Sequence, residues 1–454
     1  MKITRFMALA ALTMLLFACE KEEVFMNDSL ENSMVISKNA QSTNSYMVIS
    51  KSETLSDGLE DAIKNYGTVV RTIPQIGIVV VESSDPNFEK KVTKLSNVRS
   101  VVPDLSVNWI EPIDVDPMTN AVSIGDDERF FGLQWGMDAI DAPQAWDAGH
   151  QGEGVKVFIL DSGIDAEHPD LAPNLNTTLS ESFVPGEDWN IQPGFYFNHG
   201  THVAGIVAAA DNVSTDLNTG VIGVAPKAEI VAVKVLSEFT GSGQFSWINE
   251  GIVYAADNGA DVINMSLGAV FYKNGKYAQE LIHGTQRAID YAYRKGVTIV
   301  VAAGNDYMNA DGNRSIIAIP GDLNNVISVS ATAPLDWAYD PTTSLDEPAS
   351  YSNIGRSLID IAAPGGDFDS PNNLYFYDMV VSTISSGWGF AAGTSMASPH
   401  VAGVAALIIG KNGGEMAPHE VQKQLFSTAD KIDTNGKSVF YGKGRVNAFR
   451  AVTE

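Results

Sequence analysis

A serine among small residues at the head of a long apolar run is the feature of this chain best suited to nucleophilic chemistry. The stretch is Phe390-Ala391-Ala392-Gly393-Thr394-Ser395-Met396-Ala397-Ser398-Pro399-His400-Val401-Ala402-Gly403. Small neighbours let the backbone turn sharply and admit a substrate carbonyl, and the run through Ile409 has the continuity of a buried helix whose N-terminus faces the hydroxyl. A serine hydroxyl needs an imidazole to take its proton and a carboxylate to hold that imidazole's tautomer. Two upstream stretches carry such groups. Asp161 sits in Leu160-Asp161-Ser162-Gly163-Ile164-Asp165, where an apolar run gives way to a glycine turn, and His199 opens His199-Gly200-Thr201-His202-Val203-Ala204-Gly205. Taken singly, a serine or histidine at a helix start is a cap and an aspartate after a strand is a turn residue. All three in one chain favour a catalytic set.

Positioning them requires a scaffold, and the pattern after Trp135 supplies one. The runs Val155–Leu160, Ile230–Val235, Val262–Leu267, Val297–Ala302 and Val326–Ser330 are too continuously apolar for half-exposed strands and suit buried parallel ones. His199–Ala209, Ser246–Asn258, Gln279–Arg294, Met396–Ile409 and Pro418–Ala429 read as helices, which predicts a three-layer α/β domain with a mainly parallel sheet. In such sheets ligands bind beyond the carboxyl ends of the strands, where Asp161 directly follows one run and Asn305 closely follows another. Upstream, Tyr46–Ser50, Thr68–Thr72, Ile76–Val81 and Val98–Val102 read as strands, with Leu55–Tyr66 and Pro86–Leu95 as helices. The order strand, helix, strand, strand, helix, strand is that of a small α+β ferredoxin-like domain.

Asp161 to Asp165, His199 to Gly205 and Gly393 to His400 resemble the three active-site signatures of the subtilisin-like serine proteases, in that family's chain order and within about residues 130–454. An α/β-hydrolase order, with the serine first, is disfavoured because only His400 and His419 follow Ser395. The resemblance implies that Ser395 is the nucleophile, His199 the base and Asp161 its orienter. Ala302-Ala303-Gly304-Asn305 is similar to the family's oxyanion segment, so the Asn305 amide and the Ser395 backbone N–H would face the oxyanion. Ser266-Leu267-Gly268 and Ala302-Ala303-Gly304 match the segments that line the primary specificity pocket, and Ala318 falls at its base, which implies medium apolar side chains before the scissile bond. Residues 46–104 resemble the inhibitory propeptide of such enzymes, which implies that the linker 105–132 threads the site and is cut in cis. Asp170 matches a structural calcium position, with carbonyl ligands expected from Asp211–Gly220; no cofactor is required for the chemistry itself. A catalytically silent binding protein of the same fold would not need all four catalytic groups.

The whole chain has 454 residues, 44% hydrophobic, enough for two or three domains. Its 29 basic and 55 acidic residues give a net charge of -26, which disfavours nucleic acid as a partner and leaves protein and peptide substrates. Lys2 and Arg5 precede the apolar run Phe6–Ala18, too short to span a bilayer, so residues 1–18 read as a signal peptide. Cys19 is the single cysteine, and Leu16–Cys19 resembles a bacterial lipoprotein signal, which implies lipidation of Cys19 and a membrane anchor. Glu20-Lys21-Glu22-Glu23 is similar to the acidic export tag of Bacteroidota surface lipoproteins, which implies an exported protein at the outer membrane or cell surface. Residues 19–45 read as a flexible tether, 105–132 as an exposed linker whose Glu111–Asp127 part is rich in Pro, Asp, Asn and Ser, and 133–454 as the catalytic domain.

Overall fold

The computed structural model describes residues 44–110, 128–191, 198–212, 220–311, 315–369, 374–385, 387–433 and 438–454. The signal segment, Cys19, the tether to residue 43 and the centre of the linker lie outside the described residues. In the N-terminal unit, β1 (Ser45–Ser50), α1 (Leu59–Ile63), β2 (Thr68–Ile73), β3 (Ile78–Glu82), α2 (Phe88–Val92) and β4 (Val98–Pro103) form an antiparallel sheet in the order β2-β3-β1-β4. Strand alternation gives this sheet two apolar faces. Val48, Val79 and Val81 pack under the unit's own helices with Leu59, Ile63 and Phe88, while Met47, Ile49, Ile78 and Val80 turn the other way.

That second face is covered by the large domain. After β5 (Ser106–Asn108) come two short helices, α3 (Trp135–Ala139) and α4 (Ala142–Asp147), then β6 (Lys156–Asp161), β7 (Glu181–Ser182), α5 (His199–Ala208), β8 (Glu229–Lys234) and β9 (Ser242–Gln244). There follow α6 (Phe245–Asp257), β10 (Val262–Met265), β11 (Ala269–Tyr272), α7 (Ala278–Arg294), β12 (Thr298–Ala302), β13 (Ile316–Ile319), β14 (Ile327–Ala333), β15 (Glu347–Pro348) and β16 (Ile361–Pro364). The chain ends with β17 (Val380–Ile384), β18 (Gly387–Ala391), α8 (Thr394–Lys411), α9 (Pro418–Thr428) and α10 (Ala448–Thr453). The main sheet runs β15-β14-β12-β10-β6-β8-β7 with β16 on β14, and every pairing except that of β15 is parallel. Strand β6 explains its continuous apolar run: Val157 and Ile159 pack with Val203 of α5 and Val404 of α8, Phe158 and Leu160 with Phe245 and Ile252 of α6. Helices cover both faces, so from Val157 to Asp161 no position on the strand is left for water.

The N-terminal sheet sits on α6 and α7 through shared apolar contacts and a set of polar ones. Arg287 of α7 donates from Nη1 to the carbonyls of Ser52 and Ile76 at 3.0 and 3.2 Å and from Nη2 to that of Ser50 at 3.1 Å. Asp104, 1% exposed, accepts from Ser246 Oγ at 2.6 Å and Ser246 N at 3.2 Å at the start of α6. Arg71 pairs with Glu250, and Arg99 and Ser100 bond Glu280 at 3.0 and 2.9 Å.

The linker expected to be exposed over 105–132 is buried at both described ends. Leu105, Trp109 and Ile110 are buried, as are Phe130 and Phe131. The cause is apolar side chains beside a free strand edge, which outweigh the polar composition of Glu111–Asp127 between them. β5 adds antiparallel to β9, and Trp109 continues the strand with its N–H on the Gly241 carbonyl at 3.3 Å. The Trp109 indole donates to Gly243 O at 2.9 Å and packs edge-on against Phe245 at 5.0 Å.

Candidate active site

Strand β6 delivers Asp161 as its last residue, fully buried, and helix α5 presents His199 as its first. His199 Nδ1 lies 2.9 Å from both Asp161 carboxylate oxygens. The carboxylate also accepts the Ser162 N–H at 2.6 Å, so its direction is set by the turn that follows the strand. A carboxylate can only accept here, so Nδ1 carries the proton and Nε2 is the ring atom left to take another. Gly200 makes the approach feasible: a Cβ there would lie 2.3 Å from the Gly163 carbonyl and 3.1 Å from the Asp161 Cβ.

Ser395 is the second residue of α8, 9% exposed. Its hydroxyl does not meet the imidazole in this structure; it donates to the Ser266 carbonyl at 3.2 Å. Resting hydroxyls often sit away from their base and align only with substrate bound. The carbonyl of Ser395 has lost its usual helical donor, because residue 399 is a proline. Ser266 Oγ replaces it at 2.7 Å and is itself held by Asn264 Nδ2 at 2.9 Å and Ser398 Oγ at 2.8 Å. Ser266, expected in the specificity pocket, therefore turns its side chain onto the helix that carries Ser395.

Asn305 follows β12, and Thr394 fixes its amide. Asn305 Oδ1 accepts from Thr394 N at 2.9 Å and Thr394 Oγ1 at 2.8 Å, which leaves Nδ2 as the donor. In the first turn of α8, Met396 and Ala397 N–H groups go to the Gly393 carbonyl, so the Ser395 N–H points outward. The space beside Gly393 lies between those two donors: a Cβ built there would be 3.4 Å from Asn305 Nδ2 and 3.5 Å from Ser395 N. Two N–H groups converging on one small space can hold a developing oxyanion.

The expected pocket segments meet around Gly268. A Cβ on Gly268 would find only the Ile319 carbonyl at 3.5 Å and the Ala302 carbonyl at 3.9 Å, so it would meet backbone oxygens of two segments at van der Waals distance without a clash. Leu267, Ala302 and Ala303 are buried, Gly304 takes φ +98° and gives its N–H to Thr394 Oγ1 at 3.1 Å, and Ala318 packs with Ala303 in a small apolar cluster below. The Gly268 N–H donates to the carbonyl of Trp109 at 3.2 Å. Residues 106–109 thus lie as an added strand between β9 and Gly268, a mode by which extended peptides are held.

Asp170 is not surrounded as a calcium ligand would be. Its carboxylate accepts from Trp388 Nε1 at 2.7 Å, from Val221 N at 3.1 Å, from Gly220 N at 3.2 and 3.3 Å and from Asn212 Nδ2 at 3.4 Å. Calcium needs these oxygen lone pairs for itself, and here N–H hydrogens point at them. Burial raises the pKa of Asp170, with the Trp388 bond and His168 opposing. Among the described residues no cluster of three or more acidic, histidine or cysteine side chains can hold a metal; the carbonyls expected from the 211–220 loop fall mostly outside the described residues. Among the described residues the Asp170 carboxylate is held by N–H donors.

A buried carboxylate–imidazole pair, a serine at a helix head and two convergent donors at the carboxyl ends of a parallel sheet define a serine hydrolase built for acyl transfer. Comparison with known proteins specifies which kind. Residues 152–444 match the subtilase family. The chain is 34% identical over 386 residues to a thermophilic serine proteinase of Bacillus sp. strain AK1, covering 84% of this chain and 83% of that one. It is 38% identical over 327 residues to thermitase of Thermoactinomyces vulgaris, covering 72% and 98% respectively. Among solved structures, fervidolysin of Fervidobacterium pennivorans superposes with a TM-score of 0.68 at 25% identity, over 90% of this chain and 61% of that one. The chain belongs to the subtilase family and is a subtilisin-like serine endopeptidase.

Proposed function

We propose that this chain is the precursor of an exported, lipid-anchored endopeptidase that cuts its own linker. Ser395 Oγ attacks the peptide carbonyl while His199 Nε2 takes its proton. Asp161 holds the imidazole and stabilises its charged form, and Asn305 Nδ2 with the Ser395 N–H receives the oxyanion. His199 then gives the proton to the departing amine, and water hydrolyses the acyl-enzyme by the same steps in reverse. Residues 46–104 act as the inhibitory propeptide, and Cys19 carries the lipid.

The observation that carries this reading is the course of residues 105–110. They leave the N-terminal unit, lie as a strand on β9, pack Trp109 against Phe245 and reach Gly268, two residues beyond Ser266, whose carbonyl accepts from Ser395 Oγ. A chain so placed enters the groove as its own first substrate. The anchor and export rest on the charged and apolar pattern of residues 1–18, the Leu16–Cys19 resemblance and the acidic stretch Glu20–Glu23, and cleavage after residue 110 would separate Cys19 from Ser395.

The test compares the wild type with Ser395→Ala. The wild type is expected to shorten, to show a new N-terminus between residues 111 and 133, and to hydrolyse casein; the variant should stay full length and inactive. If both chains mature alike and neither hydrolyses casein, the reading is wrong.

A further inference from the structure

Behind the Asp161–His199 pair lies a lysine with no contact to solvent. Lys234, the last residue of β8, stands beside Asp161 in the parallel register and is 0% exposed. Its Nζ donates to the Ser162 carbonyl at 2.6 Å and lies 3.1 Å from Glu187 Oε2 and 3.8 Å from Glu238 Oε2. Taking an ammonium out of water is costly, and an apolar residue would fill the position at no such cost. Desolvation draws the lysine's pKa down, and Glu238, Glu187 and Asp161 oppose it.

The contacts show what the charge does there. Ser162 is joined to both partners of the pair: its N–H goes to Asp161 Oδ1, and its Oγ accepts the Gly200 N–H at 3.2 Å, one residue from His199. Fixing the Ser162 carbonyl therefore fixes the turn on which both groups hang. We propose that Lys234 is a positioning residue for the catalytic pair, clamping the Asp161–Gly163 turn and setting the electrostatic field in which His199 gains and loses its proton. Glu187 and Glu238 moderate that field. This rests on the roles assigned to Asp161, His199 and Ser395 above.

The sign of the effect follows from Coulomb's law. Removing the ammonium makes the surroundings of His199 more negative and favours the imidazolium, so the base is lost at a higher pH. Removing a carboxylate behind the lysine does the reverse. Asp161 holds the imidazole, and His202 interacts with it and with His400; burial lowers His202 to about 3 and His400 to about 4, so neither of these histidines titrates between pH 5 and 9.

The experiment measures kcat and KM of the mature enzyme against pH with a chromogenic peptide for the wild type, Lys234→Met, Lys234→Arg and Glu187→Gln. The acid limb of kcat/KM should rise by about half a pH unit or more in Lys234→Met and fall in Glu187→Gln. At its optimum, Lys234→Met should lose kcat with little change in KM, and Lys234→Arg should recover most of it. Glu187, whose side chain is 11% exposed, supplies a second variant that keeps the test alive if Lys234→Met does not accumulate. An unmoved acid limb in every variant obtained would overturn the proposal, whatever happens to stability. Equal activity of wild type and Ser395→Ala would instead remove the catalytic assignment beneath it.

Discussion

Replacing Asp104 with asparagine tests how the N-terminal unit is held on the enzyme. Burial pushes the Asp104 carboxyl up to about 6 from 3.8, against the two Ser246 hydrogen bonds and the charge of Arg71. A carboxyl whose pKa is higher in the folded chain takes up a proton on folding between the two values. Its contribution to stability is therefore greatest below about pH 4, falls as pH rises to about 6, and is level beyond. Two pKa units at about 1.4 kcal/mol each make the span about 3 kcal/mol. Asparagine keeps an oxygen for the Ser246 N–H and does not titrate. In uncleaved Ser395→Ala chains, urea unfolding followed from pH 4 to pH 7.5 should show the Asp104→Asn chain gaining about 2 kcal/mol of that span on its parent as pH rises, the rest lying below pH 4. The charges of Arg71, Glu250 and Glu280 are common to both chains and cancel in the difference. Parallel curves, or a parent that gains on the variant with rising pH, would mean that the α6 terminus outweighs burial.

Ser266→Ala should cost about 1–3 kcal/mol and lower kcat, because Pro399 has no N–H to offer the Ser395 carbonyl once the Ser266 hydroxyl is gone; urea midpoints and the acylation burst report the two effects, and a wild-type burst would sink the idea. Trp388→Phe should destabilise by a similar amount by removing one N–H from the Asp170 carboxylate, and by the same amount with and without a calcium chelator. A chelator effect larger than that of the substitution would restore the calcium reading of Asp170.

The parts legible in the chain are those whose chemistry is local. Asp161, His199 and Ser395 each sit in a run whose glycines and small residues already specify the turn or the close approach, as Gly200 does against Gly163. The buried strands were legible because both faces of β6 are apolar. Where the meaning of a residue depends on a partner far along the chain, spacing was silent. Nothing near Asp170 announces that Trp388 will supply an indole, and Trp109 amid polar neighbours reads as linker until β9 offers it an edge. Ser266 was half legible: its backbone belongs to the pocket motif, but its side chain answers to Pro399, a signal present in the chain at the position four after Ser395.

Asp104, Asp170 and Lys234 share one property that ties these cases together. Each is a charged group almost wholly out of water, and a buried charge is tolerated only where particular donors or counter-ions hold it. Their partners come from different elements: Ser246 across the junction with the N-terminal unit, Trp388 in the hairpin before Ser395, and Ser162 with Glu187 and Glu238 behind the Asp161 turn. A core methyl group can settle against any apolar neighbour of the right size, but these groups accept only one arrangement. They therefore fix the junction with the N-terminal unit, the hairpin leading to Ser395 and the turn bearing Asp161, three places where a shift of an ångström would disturb the proposed catalytic set.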